Sequence, residues 1–154
     1  MEKREIDMGS LDDSIGYRMR RAQIAIFQDI ISAFAEADIR PAQFSVMVLI
    51  GQNPGLNQSE VAAALGIKRA NFVALIDSLE ARGLAKREPT ATDRRSYALQ
   101  LTEAGQSLLD DLQRVQAEHE ARIVARIGAE NRAMLLELLE AIAAGSDSDQ
   151  IEDA

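Results

Sequence analysis

The chain contains no cysteine and no tryptophan, a single histidine and three prolines, and aromatic residues make up only 4% of its 154 positions. Without cysteine there is no disulfide, no thiol redox switch and no thiolate metal site, so a disulfide-dependent secreted fold and thiol-based sensing are excluded. A lone histidine leaves no visible nucleophile-base pair and no HExxH helix, and no glycine-rich phosphate loop is present. Neither an enzymatic activity nor a cofactor or metal is expected. Continuous apolar runs such as Val46–Ile50 fall far short of the ~20 residues that span a bilayer, and the opening MEKREIDMGS is charged. A cytoplasmic protein without membrane contact is the expectation.

What the chain does have is an uneven charge. The formal net charge is −8, which argues against nucleic acid at first sight because phosphate binding is largely electrostatic. From Lys68 to Arg95, however, seven basic residues stand against four acidic ones, a surplus of three. The positive charge is gathered in one segment of an otherwise acidic body, and distribution matters more than the total.

That segment belongs to the most informative stretch, Asn57 to Thr102. Asn57 with Glu60 three residues on is close to a capping box and signals a helix start. Val61, Ala64 and Leu65 follow at helical spacing, and Gly66 supplies the permissive backbone of a turn. In a second helix Phe72, Leu75, Ile76 and Leu79 form a core-facing stripe, and Gly83 stops it. The opposite face carries Ala70, Val73, Ala74 and Asp77, with Lys68, Arg69 and Asn71 in or beside the first turn. Small side chains let a helix approach base edges and touch thymine methyls, and asparagine can bond adenine in two places. LAKREP and SYALQLT then read as a hairpin around PTATDRR, since Tyr97, Leu99 and Leu101 alternate with Ala98 and Gln100. Arg94 and Arg95 stand near its tip, with Asp93 placed to fix one of them. The plainer reading of these cations is solvated surface charge; for Arg82, Lys86 and Arg87 it is as good as a functional one.

Helix, turn, helix, a hairpin carrying DRRS and an LT-x-x-G helix start together resemble the MarR family of winged helix-turn-helix transcription regulators. PAQFSVMVLI at 41–50, LID-x-LE-x-RGL at 75–84 and LTEAG at 101–105 are similar to that family's pattern, and the resemblance covers roughly Leu11 to Ala144. It implies a mainly α fold with a small β-hairpin wing, in a homodimer that reads a double-stranded DNA operator as a ligand-responsive repressor. It further implies that the helix at 68–82 enters the major groove. Gln58 and Ser59 then match positions near phosphates, Lys68, Arg69 and Asn71 the leading turn, and Arg94 or Arg95 the wing arginine of the minor groove. The family often has serine where Lys68 stands and Ser or Arg near Val73 and Ala74, so a cap and some polar readout are missing. The alternative is a winged-helix protein-protein module, in which Lys68 and Arg94 would tolerate substitution.

Around this region the expected organisation is a flexible tail over 1–10, a first dimerisation helix over 11–37, the winged region over 38–101, C-terminal dimerisation helices over 102–144 and an acidic disordered tail over 145–154. Ile15, Met19, Ile26, Ile30 and Phe34 mark the first helix, Pro41 opens a second, and Thr102 caps a long one. Leu108, Leu112, Val115, His119 and Ile123 form its stripe, with a break near Gly128 before Leu135, Leu138, Leu139 and Ile142. Stripes this long beside so small a head need another surface to cover them, and a second copy supplies it. His119 reads as a packed residue rather than a ligand. The run Arg18, Arg20 and Arg21 beside Tyr17 is either solvated helix or, with Phe44, a grip for an anionic effector. The resemblance extends to members that respond to aromatic acids or their coenzyme A thioesters.

Overall fold

The structure is a computed structural model and describes residues 6–89 and 97–144. It divides into two units, Met1–Gln116 and Ala117–Ala154.

In the first unit a 3-10 turn, Gly9–Asp13, precedes α1, Ile15–Ala33. The helix expected from Leu11 to Ala37 is therefore interrupted at both ends. Ser14 adopts an extended backbone, and its hydroxyl accepts from the Tyr17 amide at 3.4 Å, so the chain restarts there as a capped helix. At the far end a 3-10 turn, Ala35–Ala37, leads to Asp38 in the left-handed region at φ 50, ψ 45. Of the anticipated stripe only Ile30 and Phe34 reach the core, while Ile15, Met19 and Ile26 are exposed.

Helix α2, Pro41–Gln52, starts at its proline as expected, with the Arg40 amide donating to the Gln43 side chain at 2.8 Å. Its Val46, Met47 and Ile50 form the centre of the core, against Val61 and Ala62 of α3 (Gln58–Ala64) and Phe72, Ile76 and Leu79 of α4 (Arg69–Ala81). Strands β1, Ala85–Pro89, and β2, Tyr97–Leu101, pair antiparallel from Ala85 opposite Leu101 to Pro89 opposite Tyr97. Pro89 thus ends the strand, as it ends the LAKREP segment, at a position where a missing amide donor is tolerated. Leu99 of β2 and Leu109 and Leu112 of α5 (Glu103–Ile127) join this core, as do Ile39, Leu84 and Ala85.

Thr102 caps α5 as the sequence indicates, its hydroxyl accepting from the Gly105 amide at 3.0 Å and donating to the Gly83 carbonyl at 2.6 Å. A β-carbon on Gly105 would lie 1.9 Å from the Leu84 carbonyl oxygen, so the glycine of LT-x-x-G is the space that lets α5 leave against the root of β1.

In the second unit the C-terminal end of α5 is followed by Gly128 at φ 87, a 3-10 turn Ala129–Asn131 and α6, Arg132–Ala144. The break expected near Gly128 is there. His119 is buried, and Arg132 pairs with Glu120 at 3.7 Å. Among the described residues no helix is long and apolar enough to cross a membrane.

Candidate nucleic-acid interface

The Asn57 side chain accepts from the Ser59 and Glu60 amides at 2.9 and 3.0 Å, and Glu60 accepts in return from the Asn57 amide at 2.8 Å. This full capping box starts α3 with Ser59 exposed and Gln58 half-buried in its first turn. The segment before it is also tied to the wing: the Leu99 amide donates to the Leu56 carbonyl at 2.8 Å, and Asn57 bridges Ala98. The start of α3 is thereby seated beside the wing root.

Between α3 and α4, Gly66 takes φ 62, and the Ile67 amide reaches the Ala62 carbonyl at 2.9 Å while Gly66 reaches Ala63 at 3.2 Å. This pair of reversed bonds closes one helix tightly and aims the next. Lys68 is the N-cap of α4 with no side-chain capping bond, as its departure from the usual serine suggests. Phe72, Ile76 and Leu79 are fully buried. Arg69, Ala70, Asn71 and Ala74 are exposed, and Val73 is 36% exposed, so the described side chains expected to face bases are on the free side of the helix.

The other described cations of this region are all paired. Arg87 of β1 reaches across to α4, donating to the Asp77 carboxylate at 2.7 Å and to the Glu80 carboxylate, while its amide bonds Glu80 at 2.9 Å. Lys86 pairs with Glu88. Arg82 donates to the carbonyls of Asp38 and Ala37 at 2.5 and 2.8 Å. All three, left open by the sequence, are committed within the fold. The Asp-x-x-Glu spacing of Asp77 and Glu80, one helical turn apart, is the signal that marks a basic partner for that side of α4. Asp93, Arg94 and Arg95 lie outside the described residues.

A cleft of about 560 Å³ lies between the N-terminal turn and α1, lined by Met8, Asp12, Tyr17, Arg18, Arg21 and Ala22. It brings together three of the expected effector residues. Arg18 is held there by Asp12, through Nε to its carbonyl at 2.8 Å and through the carboxylate at 3.6 Å. Arg20 does not line it, and Phe44 packs on Phe34 with ring centroids 5.0 Å apart, against the core.

Two short helices across a glycine turn, a bare face on the second and a hairpin locked to its flank define a winged helix-turn-helix. Comparison with known proteins narrows this. The MarR family model matches residues 37–96. A putative transcriptional regulatory protein for the hcr operon of Thauera aromatica is 31% identical over 137 residues, 88% of this chain and 82% of that protein. The transcriptional repressor CouR bound to a 23-mer DNA duplex superposes with TM-score 0.88 at 44% identity, covering 91% of this chain and 99% of that one. CouR bound to p-coumaroyl-CoA gives 0.83 at 43%, covering 90% and 98%. The chain belongs to the MarR family and is a transcriptional regulator.

Proposed function

We propose that this protein is a homodimeric repressor that binds a pseudo-palindromic operator and releases it when an aromatic acid or its coenzyme A thioester binds. The observation that carries the reading is the two-sided α4, whose inner face is fully buried while Arg69, Ala70, Asn71, Val73 and Ala74 are left to solvent. In the complex this face lies in the major groove, Lys68 in the same leading turn, Gln58 and Ser59 at the backbone, and Arg94 or Arg95 in the minor groove supported by Asp93. CouR, captured with a DNA duplex and with p-coumaroyl-CoA, supports both partners. Tyr17, Arg18 and Arg21, with a guanidinium already fixed by Asp12, suit the anionic part of such an effector. Its binding alters the spacing of two heads whose contacts require one separation, so both halves weaken together.

A gel shift with the DNA flanking its own gene, at two salt concentrations and with p-coumaroyl-CoA added, tests this. The expected result is a specific, salt-sensitive complex that the thioester dissolves. Arg94→Ala lowers the salt slope by about 0.9 if that residue meets a phosphate. A protein that shifts no duplex at low salt would overturn the reading.

A further inference from the structure

Arg82 occupies the C-cap of α4, where Gly83 at φ 67 reverses the chain and the Leu84 amide returns to Leu79 at 2.9 Å. Its guanidinium leaves the helix and spans more than forty residues of sequence to the carbonyls of Ala37 and Asp38. Those carbonyls belong to the turn that ends α1, and Asp38 is the only non-glycine residue with positive φ among the described residues. A second rung lies beside the first: Gln43 Nε2 donates to Ser78 Oγ at 3.0 Å, and the same side chain holds the Arg40 amide. Arg87 ties the other flank of α4 to the wing, a piece of the same head. Arg82 alone of these cations ties α4 to the chain arriving from α1. A planar fork with two bonds fixes orientation as well as distance, which a lysine at the same place does not.

We infer that Arg82 is a positioning residue that makes the recognition helix follow the end of α1, so that α1 sets where each recognition helix stands relative to its copy. This rests on the proposed function. The discriminating quantity is spacing selectivity: one base pair inserted between the half-sites turns them by about a tenth of a helical turn. The test compares full-length wild type, R82Q and R82K on the native operator and on the lengthened one, with melting temperatures measured alongside. The wild type is expected to prefer the native spacing strongly. R82Q should narrow that preference by about tenfold, the worth of one charge-assisted bond, with R82K in between. Equal weakening on both duplexes, or an unchanged ratio, overturns the inference, and R82K reads the same ratio if R82Q does not fold. A wild type that binds neither duplex removes the proposed function, and this inference with it.

Discussion

The reading head closes its own core, and the helices at the two ends of the chain do not. From α2 to the wing the apolar stripes meet one another, with Val46, Met47, Phe72, Ile76, Leu79 and Leu99 wholly buried. On α1, by contrast, Ile15, Ile24, Phe27 and Ile31 are exposed, and on α6 Met134, Leu136, Leu138 and Ile142 are. Both regions follow the same helical periodicity, so periodicity says only that a face is to be covered. What covers it is the chain itself in the head and, in our proposal, a second copy at the arms. On that proposal the head's stability is intrinsic, while that of the arms depends on protein concentration.

That contrast can be broken in graded ways. Phe72→Ala removes a fully buried ring and should cost about 3–5 kcal/mol at any protein concentration, read from chemical unfolding. Leu138, 56% exposed in the single chain, behaves differently. Leu138→Glu should leave the head folded but weaken self-association by about a hundredfold, since two apolar side chains are lost per dimer; a dimer of unchanged affinity would remove α6 from the interface. Arg87→Met strands two carboxylates on α4 and should destabilise by about 1–3 kcal/mol without altering self-association, which melting and sedimentation together would show. The smallest effect falls on the free face of α4. Replacing operator thymines by uracil removes methyl groups that Ala70, Val73 and Ala74 are placed to touch, at about 0.8 kcal/mol for each buried methyl. A binding isotherm indifferent to every such replacement would show that these residues read no methyl group.

Much of the head was legible because its signals are local. The Asn57–Glu60 box, Gly66, the Phe72 stripe, Gly83 and the Thr102 cap each act within a few residues, and each is found where the sequence puts it. The features misplaced or left open are those decided by distant contacts or by competing local bonds. The Ser14 hydroxyl could have pointed to solvent; instead it accepts from Tyr17 where the extended Ser14 backbone divides the expected first helix at its start. Phe44 is as plausible in a ligand wall as in a core until Phe34 is known to lie against it. Arg82 is indistinguishable from a solvated cation in sequence, because its acceptors lie on a turn far up the chain, and Arg87 is marked only by the Asp77–Glu80 spacing of the helix it reaches from the wing. Only the family resemblance carried the expectation for Gln58 and Ser59, whose place in the first turn of a capped helix is common to many proteins.

The most direct test of the account is the mass of the complex formed with the operator duplex, measured by sedimentation equilibrium across a range of protein concentrations. Two chains per duplex, with free protein dimeric above the same concentration at which DNA binding saturates, is the predicted result. A monomer that binds the full operator one chain at a time, with no coupling between half-sites, would contradict it.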